Sequence, residues 1–375
     1  MKHHETLVVG GVDAHADTHH AAALDQRGAL IGSARFPTTP DGYRELFRWL
    51  SSFGQLELVA VESTGSYAAG LVRYLRSQAV RVREVNEPQA HTRRRLGKSD
   101  PLDAELAARA ALSGKASAIP KQTDGIVESI RQLRVARQSA VKARSAALAQ
   151  LQDLLVTAPE PLRAQLSGHK TTRGMASRCR RLRPALRELE RPAHSARFAL
   201  RSIALRIKIL DEEIAALDRQ LEWLVHRAAP RTTGLLGIST GHAGQLLVSA
   251  GQNIERLRGE ASFAALCGAS PLPASSGKTT RHRLNYGGDR DANRALHLIA
   301  VCRLRYCPRT RAYARRRAAE GKGKAEILRC LKRYIARETY RTLSADLTDL
   351  DGHQPARSTT IYCGAGPIGI TRCRT

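Results

Sequence analysis

Acidic and aromatic residues are both scarce in this chain of 375 residues. It has 34 Asp and Glu against 61 Lys and Arg, which gives a formal net charge of +27 at pH 7. Enzymes of small metabolites have no need of such an excess, whereas nucleic-acid proteins do, because each neutralised phosphate releases counterions and adds affinity. A basic surface that only suits a basic cellular environment is the alternative. We expect nucleic acid as the partner, although the charge does not distinguish DNA from RNA and the aromatic residues available for base stacking are only 4% of the chain.

Long apolar runs and paired cysteines are missing as well. No uncharged apolar stretch reaches the length of about 18 residues that a membrane-spanning helix needs, so no membrane partner is expected. The N-terminal residues lack the apolar run and the cleavage site of a signal peptide. The seven cysteines are irregularly spaced and form no CxxC pair, which argues against a zinc ribbon and against a disulfide framework. These absences favour a protein of the reducing cytoplasm.

Residues 1–118 alternate between strand-like and helix-like segments, which predicts an α/β domain. Three strand-like runs come first, at Leu7–Val12, HAAAL and ALIGSARF. Helical and strand-like segments then alternate, ending on a helix, in the order Tyr43–Leu50, LELVAVE, Ala68–Arg76, RVREV and Pro101–Leu112. This order matches a ribonuclease-H-like (RuvC-like) fold, which we predict for residues 1–118.

Residues 119–229 are predicted to form a helical, coiled-coil middle region. Ile126–Leu155 has a helical pattern, whereas Ala158–Pro192, rich in Pro, Gly and Arg, predicts a loop or a poorly ordered segment. A second helix carries an apolar seam of three heptads, typical of a helical hairpin or of a dimerising coiled coil, although a single core helix also produces this pattern. The seam consists of Ile203, Ile207, Leu210, Ile214, Leu217, Leu221 and Leu224.

Residues 230–345 are predicted to form a mainly α-helical C-terminal domain, followed by a poorly ordered tail at 346–375. A loop rich in Gly, Ser and Thr lies at the centre of the domain. The segment LLGISTGHAGQLLVSAG resembles a helix-hairpin-helix, in which a glycine turn lets backbone amides approach a phosphate. Its glycine spacing departs from the usual form of that motif.

Four acids stand where a ribonuclease-H-like domain would hold metal. Asp13 follows the first strand, Glu62 ends the strand LELVAVE, and Asp100 and Asp103 begin the last helix. The spacing of three places the latter two on one helical face, with Cβ atoms about 5–6 Å apart. Converging carboxylates repel one another, and Mg²⁺, which prefers oxygen ligands, relieves that repulsion.

Each acid also has an ordinary structural interpretation. Asp100 before Pro101 is a suitable helix N-cap, with Asp103 close to the position of a capping box. Asp13 could cap a turn, and Glu62 could be a solvated strand end. The conjunction of all four at the expected places favours a metal site.

Two ordered motifs carry a family resemblance. VDAH, VESTGSY and KSDPLDAELAARA resemble the first signature of the insertion-sequence-one-ten (DEDD) transposases. CGASPLPASSGKTTRHRLNYGGDRDANRAL is similar to their second signature, and the similarity extends over about residues 6–345. The Ala274 and Ser275 that precede the Ser-Gly pair depart from the family pattern.

The resemblance implies a transposase, and it assigns roles to particular residues. Asp13, Glu62, Asp100 and Asp103 are implied to bind Mg²⁺, and Ser276 is implied to be the nucleophile that forms a phosphoserine link with DNA. The expected partners are element ends or a circle junction, target DNA, a structured noncoding guide RNA and further copies of the chain. The setting is a bacterial cytoplasm, at the nucleoid. The expected nucleic-acid contacts are Lys98, Lys278, Arg281, Arg283 and Arg294.

Two other functions remain open from the residues alone. A RuvC-like nuclease would hydrolyse DNA junctions with metal-activated water and would need no serine. A non-catalytic assembly protein would use only the positive charge and the helical seam. If the chain is the nuclease, Ser276→Ala leaves cleavage intact and Asp13→Ala abolishes it. If the chain is only an assembly protein, an Asp13→Ala, Asp103→Ala double variant still functions fully.

Overall fold

The computed structural model describes residues 7–62, 64–85, 99–168, 171–274, 282–283 and 285–352. Within them, a mixed five-stranded sheet forms the N-terminal part, in the strand order β3-β2-β1-β4-β5. The first three strands pair antiparallel, whereas β4 and β5 run parallel to β1. The strands are β1 (Leu7–Ala14), β2 (Thr18–Asp25), β3 (Leu30–Pro37), β4 (Gln55–Glu62) and β5 (Arg81–Val85). The predicted α/β class of this part is confirmed.

Helices cover both faces of the sheet. On one face α1 (Pro40–Ser52) and α2 (Ala69–Ser77) pack on residues such as Val8 and Val12 of β1. On the other face the alanine-rich α3 (Asp100–Leu112) packs on Val9. Because successive side chains of a strand point to opposite faces, the apolar run of β1 supplies both cores.

Four helices follow the sheet, and the two long ones form an antiparallel pair. Their bounds are α4 (Gly125–Val156), α5 (Glu160–Leu166), α6 (Thr172–Cys179) and α7 (Pro192–Ala228). Arg144 Nη1 lies 2.8 Å from Asp211 Oδ1, and Arg206 Nη2 lies 2.8 Å from Gln150 Oε1, so contacts move backward along α7 as they advance along α4. Seam residues such as Ile207 are buried in clusters that include α4 residues, so α4 of the same chain covers the seam.

The prediction of a loop or a poorly ordered segment at Ala158–Pro192 is wrong for much of its length, since α5 and α6 lie within it. Leu162 and Leu166 of α5 and Met175 and Cys179 of α6 are buried against the last turns of α4 and the first turns of α7. In the sequence these apolar residues recur about one helical turn apart, but the surrounding arginine and proline residues obscure the helical pattern. Burial of these side chains is what stabilises such short helices, because isolated helices of this length are marginal in water.

The C-terminal part is a helical domain with one short β-hairpin. Its core also takes in Val127 and Ile130 of α4 and Leu221 and Val225 of α7, so the helical pair is anchored in it. None of the described helices has the length and apolar character needed to cross a membrane. The elements are α8 (Pro230–Thr233), α9 (Thr240–Ala250), α10 (Glu260–Leu266), β6 (Leu272–Pro273), β7 (His282–Arg283), α11 (Arg290–Tyr306), α12 (Pro308–Ala319) and α13 (Lys324–Gly352).

Helix α13 continues to Gly352, past the predicted end of the domain at residue 345. Asp346 and Leu347 are buried, at 3% and 1% exposure. Residues 353–375, the greater part of the predicted tail, lie outside the described residues.

Candidate active site

The ends of β1 and β4 carry two of the predicted acids, Asp13 and Glu62. The parallel pairing of these strands extends to the residue immediately before each acid. Two positions earlier, Gly11 and Ala60 pair with each other on the face that α3 covers. Because side chains alternate along a strand, Asp13 and Glu62 belong to this same face.

Gly11 allows α3 to approach β1 closely. A Cβ at Gly11 would lie 2.1 Å from the backbone oxygen of Ala104 and 2.4 Å from the backbone nitrogen of Ala108. No side chain is tolerated at such distances unless the helix moves. The close packing brings the first turn of α3, with Asp100 and Asp103, to the end of β1.

Helix α3 begins one residue earlier than the capping pattern predicts. Ser99 is its N-cap, so Asp100 and Pro101 both stand inside the first turn. The interpretation of Asp100 as the N-cap is therefore wrong. Pro101 fits inside the first turn because the amides of that turn have no intrahelical acceptor, so a residue without an amide hydrogen is tolerated there. The Oδ1 atom of Asp100 lies instead 3.3 Å from His15 Nε2.

His15 connects the strand end with the helix. Its Nε2 atom also lies 3.1 Å from Asp13 Oδ2, and Asp13, His15 and Asp100 offer ligand atoms that all lie within 4.8 Å of one another. His15 was not among the predicted site residues. The signal was a histidine two positions after a strand-end acid, in VDAH, but nothing local shows that it faces an acid on a distant helix.

Burial and neighbouring charge both act on Asp13, which is 7% exposed. Burial raises the pKa of the Asp13 carboxyl most strongly, His15 lowers it, and the carboxylates of Asp103 and Asp100 raise it. On β2, burial lowers the pKa of His20, against the opposing effect of Asp100 and Asp13. Negative charge is thus concentrated at a partly desolvated point, a condition that a bound cation relieves.

The two described C-terminal candidates, Arg283 and Arg294, lie on elements other than the sheet that carries the acids. Leu272 of β6 pairs with Arg283 of β7, and the predicted serine loop lies between these two strands in the sequence. The side chains of Arg283 and Arg294 are exposed, the latter near the start of α11. Four predicted site residues lie outside the described residues, namely Lys98, Ser276, Lys278 and Arg281.

The segment that resembles a helix-hairpin-helix consists of the turn after α8 and the helix α9. The Asp346 carboxylate accepts hydrogen bonds of 3.0 Å from the backbone amides of Arg231 and Thr232 at the start of α8. At the start of α9, Ser239 Oγ accepts one of 3.4 Å from the His242 amide. Three of the backbone amides that a phosphate would use at these helix starts therefore already have acceptors inside the protein.

Two family models match the chain in the order of its two motifs. Residues 10–158 match the DEDD domain model of IS110, described as a transposase. Residues 230–315 match a model described as the transposase IS116/IS110/IS902 family. Together the matches span more than half of the chain. The chain belongs to the IS110 transposase family. No curated protein matches it.

As a member of this family, the transposase cuts and rejoins DNA. The acids Asp13, Glu62, Asp100 and Asp103 all fall within the first matched segment, and Ser276 falls within the second. The acid cluster and the serine loop therefore belong to different matched segments of one transposase.

The donor set at the acid cluster fits a divalent cation. Two carboxylates and one imidazole nitrogen converge. The carboxylate of Asp103, which is 3% exposed, acts on Asp13 as a further negative charge. Carboxylate oxygen suits Mg²⁺ and Mn²⁺, whereas imidazole nitrogen is a ligand that Mg²⁺ seldom takes. A His15 ligand would therefore broaden the choice of metal beyond Mg²⁺.

We predict that His15→Ala weakens the binding of Mn²⁺ more than that of Mg²⁺, with an affinity loss for Mn²⁺ of about tenfold or more. Isothermal titration calorimetry of each ion on the full-length protein measures this difference. Asp103 and both His15-linked aspartates remain in the variant. Equal losses for the two ions would show that His15 acts through the aspartates rather than as a ligand.

Proposed function

We propose that the chain is a metal-assisted serine transposase, in which the acid cluster and Ser276 act on one DNA phosphodiester. The observation that carries the proposal is the convergence of Asp13, His15 and Asp100, with Asp103 and Glu62 at the same edge of the sheet. This cluster lies in a chain whose net charge is +27. A concentration of acids inside a basic nucleic-acid enzyme supports metal chemistry at a phosphate.

In the proposed cutting step, the Oγ atom of Ser276 attacks phosphorus. One new Oγ–P bond forms, one P–O bond to the departing strand breaks, and the serine proton ends on the oxygen of that strand. The phosphoserine diester keeps the energy of the broken bond. A DNA hydroxyl then attacks the same phosphorus, a P–O bond to DNA forms, and the serine hydroxyl is restored without ATP.

Each protein group has a distinct part in this proposal. Asp13, Asp100 and His15 would hold the cation, and Glu62 and Asp103 would complete the acidic edge. Mg²⁺, when bound there, supplies Lewis-acid stabilisation of the charge that develops on the phosphate oxygens. Lys278 and Arg281 follow Ser276 in the sequence, and their positive charges would stabilise the serine alkoxide.

The proposal includes partners beyond the cut strand. DNA element ends or a circle junction and a target would be the substrates, and a structured noncoding RNA would guide the choice of site. Because the acids and Ser276 belong to different segments, two copies of the chain could each supply part of one site. Cutting would then depend on assembly of a dimer or tetramer.

Ser276→Ala is predicted to abolish a covalent protein–DNA adduct, since alanine has no nucleophile. Protein co-expressed with its flanking element DNA is incubated with a labelled element junction and Mg²⁺, and adducts are separated on a denaturing gel. The matched control is Ser275→Ala, which removes the neighbouring hydroxyl and is expected to leave the adduct at the wild-type level.

Other outcomes would decide against serine chemistry. Equal cleavage by wild type and Ser276→Ala, with no adduct in either, would indicate a nuclease that uses metal-activated water. Loss of the adduct in Ser275→Ala but not in Ser276→Ala would move the nucleophile by one residue. Full function of an Asp13→Ala, Asp103→Ala double variant would exclude catalysis by the acid cluster.

A further inference from the structure

A strongly cationic cavity lies between the β6–β7 hairpin and the helices α12 and α13. Its volume is about 420 Å³, within the range of ligand sites in proteins. Among the described residues, seven lysine or arginine side chains and one acid, Glu326, line it. Like charges at this density repel one another, and an anion in the cavity would remove that repulsion.

One of the lining cations is buried. Lys332 on α13 is 7% exposed, and burial lowers the pKa of its ammonium group, with Arg329 lowering it further. Among the described residues, Lys332 Nζ donates a hydrogen bond of 2.8 Å to the neutral amide oxygen of Asn293. Arg333, on the same cavity wall, is partly exposed, and its Nη2 atom lies 3.8 Å from Glu260 Oε1. Lys332 has no acidic partner among the described residues, and a buried cation without one is costly, which points to a ligand that supplies the negative charge.

Asn293 fixes the position of Lys332. Its Nδ2 atom donates to the backbone oxygens of Cys267 and Gly268, at 2.8 and 2.9 Å, while its Oδ1 atom accepts from Lys332. Gly268, with a φ of +61°, begins the segment that leads into β6, and a Cβ there would lie 2.6 Å from the backbone oxygen of Gly287. Residues of the second sequence motif thus hold the lysine against the hairpin.

We propose that this cavity binds a phosphate of the DNA backbone and that Lys332 is its buried cation. The inference rests on the proposed function, because the cavity wall includes His282 and Arg283 of β7, the strand that follows the predicted serine loop. A phosphate seated there would lie beside the strand that follows that loop in the sequence. Asn293 acts as a positioning residue for Lys332, and Arg283 supplies a second, exposed cation at the rim.

The test is the salt dependence of DNA binding by the full chain. Fluorescence anisotropy with a labelled element-junction duplex, in EDTA and in a Ser276→Ala background, gives binding without cutting. Lys332→Met keeps the side-chain length and removes the charge. We expect binding about tenfold weaker and a slope of log K against log salt that is smaller by about 0.9, the value for one lost phosphate contact. Lys332→Arg should restore most of the slope.

The matched control is Arg341→Met, which removes an exposed cation from the same helix away from the cavity and should leave the slope unchanged. Arg283→Gln, at the exposed rim, provides a second variant if Lys332→Met does not fold, and it should lower the slope by a similar amount. An unchanged slope in both Lys332→Met and Arg283→Gln would overturn the proposal.

Two further results would also overturn it. A smaller slope only with structured RNA, and not with DNA, would assign the cavity to RNA. A lower unfolding temperature of Lys332→Met with wild-type DNA binding would show that Lys332 is structural. Failure of the serine mechanism leaves these readouts intact, since they need neither the adduct nor Mg²⁺.

Discussion

Replacing Asp13 with asparagine is expected to abolish DNA cutting while making the metal-free transposase more stable. The activity should fall by about a thousandfold or more, because a proposed ligand of the cation is lost. The folded protein raises the pKa of Asp13, mainly through burial, so this group favours folding at low pH and ceases to do so as the pH rises through the raised pKa. Above its raised pKa the ionised, partly desolvated carboxylate opposes folding, and a neutral amide does not.

Thermal unfolding with and without Mg²⁺ measures both effects of Asp13→Asn. In the wild type, a ligand at 100 times its Kd stabilises the folded state by about 2.7 kcal/mol, and this increment should vanish in the variant. Asp41→Asn is the matched control, since Asp41 is exposed and pairs only locally with Arg44 on α1. A wild-type Mg²⁺ increment in Asp13→Asn would remove Asp13 from the metal site.

Gly11→Ala is expected to destabilise the N-terminal part and to remove its response to metal. The new Cβ would meet two backbone atoms of α3, and backbone cannot rotate away as a side chain can. We expect a cost of about 3 kcal/mol, because the helix must shift, and Asp100 and Asp103 would shift with it away from Asp13. Chemical denaturation and Mn²⁺ calorimetry on the same preparation measure the two consequences.

The matched control for Gly11→Ala is Gly323→Ala, a glycine whose added Cβ would meet no atom within 4 Å and whose φ is not positive. It should leave both stability and metal binding close to wild type. A Gly11→Ala protein that keeps wild-type stability would show that α3 approaches β1 less closely than the structure indicates.

Local patterns in the sequence predict much of the N-terminal fold. The apolar runs of Leu7–Val12 and LELVAVE correspond to β1 and β4, and the alanine-rich stretch after Pro101 corresponds to α3. These predictions hold because strand and helix periodicity is a property of neighbouring residues. Composition was misleading at α5 and α6, where burial against the long helices outweighs the loop-like content of proline and arginine.

The candidate site was only partly visible in the sequence. The strand-end and helix-start positions of Asp13, Glu62, Asp100 and Asp103 could be predicted, because sheet and helix order determine them. The contact of His15 with Asp100 could not, since it depends on where α3 begins and how closely it packs on Gly11. The one-residue shift of the N-cap to Ser99 depends on the same packing.

The amino-acid sequence by itself determined that this protein is basic, that an α/β part precedes helical parts, and that two ordered motifs mark an insertion-sequence transposase. The tertiary structure decided that α4 of the same chain covers the apolar seam of α7, that His15 joins two aspartates, and that Asn293 holds Lys332 in a cationic cavity. Each of these depends on contacts between residues far apart in the chain. Such contacts follow from helix packing and strand register, which local periodicity does not specify.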